Sequence, residues 1–253
     1  MWGNLGAGSE VLQVTQKYGG IVLGAIANGK LLGFVYAFLG RYHGHVIHWS
    51  HMMAVEKTHR DKGLGFRMKL AHRKLALQEG IKSICWTYDP LQSRNAALNI
   101  ARLGARVEEY LPDCYGRFPS SIEKGLPSDR FVVNWQIGSA LVARRLRGSL
   151  SRRVGIDLPR VNETRRNDEG FLVNRGISFA FREPRLILEI PANTDEMRVC
   201  DLRLARQWRV ETRRMFQRAF ESGCRVLDFV TTGTGADRRA FYVLSSARSG
   251  RPA

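Results

Sequence analysis

The turn Arg60-Asp61-Lys62-Gly63-Leu64-Gly65 constrains this chain more than any other feature. It stands between an apolar run that reads as a central strand, Ile47 to Val55, and a helical run that stops at Gly80. Glycines at 63 and 65 remove Cβ atoms that would hold a ligand away from the backbone, and they permit unusual φ. The helix that follows offers unsatisfied N–H groups and the positive end of its dipole at the same spot. Such a turn can cradle a pyrophosphate. Spacing narrows the choice. A dinucleotide fingerprint needs a third glycine and a Walker loop needs a Gly-Lys-[Ser/Thr] ending, and neither is present. What stands here is R-x-x-G-x-G, for which a plain turn and helix start is the competing reading.

The flanking sequence supplies an alternating pattern of strands and helices. Ile21 to Ile26 and Lys30 to Leu39 read as strands joined by Ala27-Asn28-Gly29-Lys30, an Asn-Gly hairpin signal. Gly65 to Gln78 reads as a helix with Phe66, Leu70, Leu75 and Leu77 on a buried stripe. Ile81 to Thr87 reads as a buried strand, Ser93 to Leu103 as a helix, and Arg106 to Tyr110 and Phe131 to Gln136 as strands. Beyond these lies an Arg-, Ser- and Gly-rich stretch, 138–170, expected as a linker. Then come a strand Leu186 to Ile190, a long helix Asp195 to Ser222 and strands Arg225 to Val230 and Ala240 to Leu244. On that helix Leu202, Ala205, Trp208, Met215, Phe216 and Phe220 share one face. The expected organisation is therefore a first domain over 1–137, the linker 138–170, and a C-terminal β-α-β-β unit over 171–253 packed on the first.

Composition bounds the function. No run approaches the roughly eighteen apolar residues of a membrane span, so no membrane partner is expected. Four scattered cysteines without C-x-x-C spacing suit a reducing cytosol, and a cytoplasmic location is expected. No metal site is read. The net charge of +17 would attract polyanions, but residues 1–125 carry 16 basic against 9 acidic residues and 126–253 carry 24 against 14. Both parts are basic and no separate basic arm stands out, so specific nucleic-acid binding is not expected. Arg144-Arg145-Leu146-Arg147 and Arg152-Arg153 are either a solvated face or a patch for an acidic partner.

Several motifs in order resemble the GNAT superfamily of acyl-CoA-dependent N-acyltransferases. R-x-x-G-x-G after a strand ending near Ala54-Val55 resembles its acyl-CoA loop, and Ser93-Arg94-Asn95-Ala96-Ala97-Leu98-Asn99 through Gly104 resembles its fourth helix. Ser50-His51-Met52, Trp86-Thr87-Tyr88-Asp89-Pro90-Leu91, Tyr115-Gly116 and Gly125-Leu126-Pro127-Ser128-Asp129-Arg130 are similar to one branch of it. The resemblance implies an α/β (α+β) fold with a mixed, largely antiparallel sheet and the phosphate loop between the central strand and a helix. It also implies that the superfamily's first strand is missing ahead of the hairpin.

For the site, the resemblance implies acetyl-CoA or another acyl-CoA as co-substrate. The strands Ile47–Val55 and Ile81–Thr87 would splay, and the backbone at Met53, Ala54 and Val55 would pair with the pantetheine arm. Arg60, Asp61, Lys62, Gly63, Leu64 and Gly65 would hold the pyrophosphate, and Asn95 would hydrogen-bond the cofactor unless it is only a helix-start polar residue. The acceptor would be a primary amine on a small molecule. The central strand contains no Asp or Glu, so its histidines are the candidates for a base. His51 is preferred over His48, with a structural histidine as the alternative. Relatives often place an acidic tyrosine four residues before the helix-ending glycine, where this chain has Ile100. Tyr115 is the substitute candidate, with aromatic packing as the competing role. The second functional reading is a CoA-binding, catalytically weak scaffold whose basic surface holds a polyanion. A homodimer is left open.

Overall fold

The computed structural model describes residues 6–116, 125–148 and 156–246. A helix α1 (Ser9–Lys17) precedes three antiparallel strands, β1 (Ile21–Ala27), β2 (Lys30–Tyr42) and β3 (His45–Val55). The β1–β2 turn is the expected Asn-Gly one: Asn28 and Gly29 both have positive φ (50° and 71°), and Ala27 pairs with Lys30. After β3 come α2 (Leu64–Gln78), β4 (Ser83–Tyr88) and α3 (Ser93–Ala96), which continues as a π-helical stretch over Ala97–Arg102. Strands β5 (Arg106–Leu111) and β6 (Arg130–Gln136) finish a six-stranded sheet of order β1-β2-β3-β4-β6-β5. Every pairing in it is antiparallel except β3 with β4 at the centre.

That parallel pair is short. Only His48↔Ile84 and Trp49↔Cys85 are in register, although β3 runs on to Val55 and β4 to Tyr88. A bulge explains where they part. On the other side of β3, Ser50 pairs with Ala37 and Met52 with Tyr36, so His51 is the extra residue that bends the strand away.

The second part of the chain forms α4 (Ala140–Leu146), a two-stranded hairpin of β7 (Asn162–Arg166) and β8 (Leu172–Ile177), and a three-stranded sheet. That sheet has the order β10-β11-β9, from β9 (Arg185–Ile190), β10 (Arg225–Thr232) and β11 (Arg239–Ser245). Helices α5 (Thr194–Cys200) and α6 (Leu202–Glu221) lie between β9 and β10 in sequence.

Three expectations need correction. The segment 138–170 contains α4 and β7 rather than coil alone. Ser139 caps α4, Val142 is buried, and Arg145 pairs with Asp228 at 2.7 Å, so part of the Arg144–Arg147 run works inside the fold. Arg152-Arg153 lies outside the described residues. The long helix breaks at Asp201, whose side chain accepts from the Leu204 N–H at 2.8 Å and starts α6 afresh. Leu202 is accordingly exposed at the new start. On α2 the buried stripe is Met68, Lys69, His72 and Ala76, while Phe66, Leu70 and Leu75 are half-buried and Leu77 is exposed. The helix is rotated from the purely apolar solution because two polar residues have partners on β3.

One apolar core runs from the large sheet into the C-terminal elements, with Trp86, Phe131, Trp135, Trp208, Phe216 and Tyr242 among its members. Polar clamps fix the contact. Arg209 on α6 grips Asp89, at the corner after β4, with both carboxylate oxygens (2.7 and 2.5 Å). Arg213, one turn on, grips Asp129 the same way (2.9 and 2.5 Å). Burial alone would raise the Asp89 pKa, but the Arg209 guanidinium overrides it and holds the carboxyl below its ordinary range. Removing one partner strands a charge that is already out of water. Asp89→Asn is therefore expected to lower the unfolding free energy by about 3–5 kcal/mol in denaturant titration. Asp89→Leu combined with Arg209→Met should recover most of that loss. A single-variant loss well under about 1 kcal/mol would show the pair to be dispensable.

Candidate functional site

The turn after β3 is built by local bonds. Glu56 accepts from the Thr58 N–H at 3.1 Å and starts a 3-10 turn over Lys57–His59. Arg60 folds back so that its Nε donates to the Val55 carbonyl at 3.1 Å, strapping the turn to the strand end. Asp61 and Gly63 take left-handed φ, 59° and 79°. Gly63 stands at the N-cap of α2 and supplies no side-chain cap, so the first N–H groups of the helix point outward without an internal acceptor. A Cβ at Gly65 would meet Met53 Cε at 2.8 Å. The tip of the flexible Met53 side chain occupies that space, where the first turn of α2 lies on β3.

The start of α3 lies beside this turn. Leu98 approaches the Gly65 position, the Arg102 guanidinium covers the Phe66 ring at 4.1 Å, and Arg94 bonds Asp61 at 3.3 Å. Asn95, exposed on the first turn of α3, follows Arg94 directly. Lys62 is exposed and Leu64 opens the helix. The structure thus brings Met53, Val55, the 60–65 turn and the head of α3 to one end of the β3–β4 opening. Glycine at 63, an uncapped helix start and strands unpaired past Trp49 and Cys85 fit a pantetheine chain ending in a pyrophosphate.

The two faces of the opening differ in chemistry. His51 lies with Tyr36 and Phe38, with ring centroids at 5.8 Å from each. Its edge remains accessible, and the shielding by its surroundings lowers its pKa below the ordinary histidine value. Across the opening, the Tyr115 hydroxyl meets Thr87 Oγ1 at 3.0 Å, and the Tyr115 ring lies under Arg130. Cys85 shares this face with Trp49, but burial and then Glu108 push its thiol up to about 12, which leaves it inert.

The opposite face carries a cluster that the sequence reading missed. His48 is fully buried. Its Nε2 faces two acceptors, the Gly19 carbonyl at 3.1 Å and Glu79 at 3.3 Å, so that nitrogen holds the proton. Its Nδ1 then accepts from His72 Nε2 at 3.1 Å, which leaves the buried His72 Nδ1 without a partner. His48 is thus a structural histidine, and burial lowers its pKa despite Glu79. Lys69 is 3% exposed, donates to Ser50 Oγ at 3.0 Å and lies 3.7 Å from the centroid of the Trp86 ring. Burial lowers its pKa from 10.5 to about 7. Met68, Lys69, His72 and Ala76 recur at helical spacing, which was the available signal. A stripe drawn through apolar residues alone, Phe66, Leu70, Leu75 and Leu77, passes it by.

The model of the Acetyltransferase (GNAT) family matches residues 7–105. This segment belongs to that family. No curated protein matches the chain significantly. Similar solved structures include a GNAT acetyltransferase from Streptococcus pneumoniae (19% identity, 49% of this chain and 72% of that one, TM-score 0.41). Another, from Elizabethkingia anophelis with acetyl-CoA bound, is 14% identical over 51% of this chain and 83% of that one (TM-score 0.42). The ribosomal-protein-S18-alanine N-acetyltransferase from Escherichia coli is 15% identical over 53% and 79% (TM-score 0.41). The GNAT segment ends at the turn after α3, so β5, β6 and all later elements lie beyond the match. No helix among the described residues is long and apolar enough to cross a membrane.

Lys69 gives this GNAT segment a measurable pH signature. A lysine that binds its proton less tightly when folded leaves the folded chain with fewer protons than the unfolded one between about pH 7 and the ordinary lysine range. Stability should therefore rise with pH across that window. Unfolding midpoints measured from pH 7 to 9 should climb in the wild type and stay flatter in Lys69→Met. Parallel curves for the two proteins would mean that the amine keeps its ordinary affinity for protons.

Proposed function

We propose that this chain is an acyl-CoA-dependent N-acyltransferase that moves an acetyl or succinyl group to a primary amine of a small molecule. The observation that carries the reading is the parting of β3 and β4 after Trp49 and Cys85, with the uncapped, glycine-bearing start of α2 at the same end. Acetyl-CoA is the acyl donor and supplies an activated thioester. The N–H groups at the head of α2, with Gly63, Leu64 and Gly65, bind the pyrophosphate. Arg60 and the Asp61–Arg94 pair hold the turn in shape, and Lys62 adds positive charge at its rim. The backbone at Met53, Ala54 and Val55 pairs with the pantetheine arm as an added strand would. Asn95 contributes a side-chain hydrogen bond from the other side.

His51 removes a proton from the acceptor ammonium. Its lowered pKa keeps it neutral, and so able to accept, near pH 7. The aromatic rings beside it suit an acceptor with an apolar flank. Tyr115 forms the rim of that acceptor site, because its hydroxyl and ring are already engaged by Thr87 and Arg130. In this reading 1–137 carries the chemistry, 138–170 joins the two parts through α4 and β7, and 171–253 braces the β4–α3 corner, in a cytoplasmic enzyme that draws on the acyl-CoA pool.

Ile100, fully buried where relatives carry an acidic tyrosine, favours the second reading of a CoA-binding scaffold with little turnover. Release of free thiol from acetyl-CoA or succinyl-CoA across an amine library separates the two. Turnover with a defined amine supports the enzyme, and tight CoA binding with no thiol release on any amine supports the scaffold.

Two variants probe the parts. CoA should raise the melting temperature of the wild type by mass action. Gly63→Val should abolish that rise, because φ of 79° strains a β-branched residue and its side chain would stand on the anion site. An undiminished shift would move the cofactor elsewhere. His51→Gln should lower kcat by about 10²–10⁴ while CoA affinity holds. The pH–rate profile should lose its limb at or below the ordinary histidine pKa, with partial recovery in alkali as the amine deprotonates unaided. A normal kcat with an unchanged profile would make His51 structural.

A further inference from the structure

Lys69 has no task in that scheme, and its position is unusual. Ser50 and Trp86 are the first residues of β3 and β4 beyond the last paired positions, and the Lys69 amine lies against both, at 3.0 Å from Ser50 Oγ and 3.7 Å from the Trp86 ring centroid. The amine therefore stands at the closed end of the opening, on the face opposite His51. The pyrophosphate turn lies at the other end of the same stretch of β3, so a chain bound at the turn and running along β3 ends at Lys69. Among the described residues no salt bridge holds this amine. The Trp86 ring and the Ser50 hydroxyl are weak compensation for a charge that is nine-tenths and more out of water.

We propose that Lys69 is the catalytic acid of this enzyme, giving a proton to the sulfur of CoA as the acyl–sulfur bond breaks. The proposal rests on the reading of the chain as an acyl-CoA-dependent transferase. It fills a role that α3 leaves open, since Ile100 has no proton to give. In the step, the amine nitrogen bonds to the acyl carbon and the carbon–sulfur bond breaks with its electron pair on sulfur. Sulfur takes one proton from the Lys69 ammonium, and the neutral lysine is reprotonated from solvent once product leaves. An acceptor ammonium enters with three protons: one stays on the amide, and the others leave through His51 and water. The balance is one acyl group moved and one proton released.

The surroundings suit the role. An ammonium with a pKa of about 7 gives its proton readily to a thiolate whose conjugate acid lies near 8.5. The other titratable groups facing it are His72, one turn along α2, and His48 on β3. Burial lowers the pKa of both, and Lys69 lowers His72 further, so both are neutral. Glu79 lies on the far side of His48 and does not bond the amine.

The test reads the sulfur itself. Ultraviolet titration of the thiolate absorbance of CoA bound to the full chain, with desulfo-CoA as the blank, gives the ionisation of the bound thiol. In the wild type part of the thiolate absorbance is expected to appear near pH 7, where Lys69 titrates, giving a two-step curve that free CoA lacks. Lys69→Met should bind CoA, keep or raise the melting temperature, return the thiol to its free pKa, and lose about 10²–10⁴ in kcat. A wild-type thiol that ionises as in free CoA overturns the proposal and leaves the acyl-CoA reading standing. Failure of the wild type to bind CoA overturns both. An acyl mass retained on Lys69 after incubation with acetyl-CoA would make the residue a nucleophile and overturn its role as an acid. The wild-type titration decides even if the variant folds poorly.

Discussion

The pair of Arg–Asp clamps on α6 is the interaction on which the rest of the molecule depends. Arg209 and Arg213 are spaced to face the same way, and each meets a carboxylate from a different loop of the large sheet. Asp89 belongs to the corner between β4 and α3, and Asp129 to the entry of β6, where it also accepts from the Tyr110 hydroxyl at 2.5 Å. The corner gains more ties from the same side. Tyr242 donates to the Pro90 carbonyl, Thr194 to the Leu91 carbonyl, and Ser93 to the Ala192 carbonyl. The head of α3 is thus positioned by elements 99 to 152 residues away in sequence. Without them, the head of α3 beside the Gly63 turn would be a free corner.

A buried ion pair is a weak source of net stability, since desolvation offsets most of the Coulomb gain. Its use here is directional. An apolar contact between α6 and the sheet could slide by a fraction of a turn, whereas two bidentate forks one helical turn apart accept one register. Arg239 repeats the device within the C-terminal part, holding the buried Glu189 through both oxygens at 2.6 Å. The arginine-rich composition is therefore used in part for construction. That reduces what the net charge says about partners.

Local signals were the legible part of this architecture. Asn28-Gly29 announced the first hairpin, the Gly63-x-Gly65 turn announced the strand-to-helix junction, and the apolar runs located β3, β4 and β6 to within a few residues. Each of these depends on neighbours in sequence. The misreadings depended on distant partners. Lys69 and His72 fall outside the apolar stripe, and nothing nearby in sequence reveals that Ser50 and His48 lie opposite them. Arg145 looked like part of a basic run because Asp228, its partner, is 83 residues away. The break at Asp201 was locally encoded as a helix cap.

The bulge at His51 links the two halves of the proposed chemistry. In a regular strand, Ser50 and His51 would alternate across the sheet while β3 stayed parallel to β4 and kept its ladder. The extra residue ends that ladder at Trp49, and it does so at the one point where side chains from both faces can reach the gap. Ser50 then points toward Lys69 on one face, and His51 toward the Tyr36 and Phe38 rings on the other. A base exposed to incoming amine and an acid sealed beneath the leaving sulfur need different solvation. The open face leaves the histidine able to exchange protons with water, whereas burial under α2 holds the lysine near neutrality in its proton affinity. A single inserted residue in β3 therefore opens the sheet at the point where the alternation of Ser50 and His51 already sets the two proposed proton transfers on opposite faces.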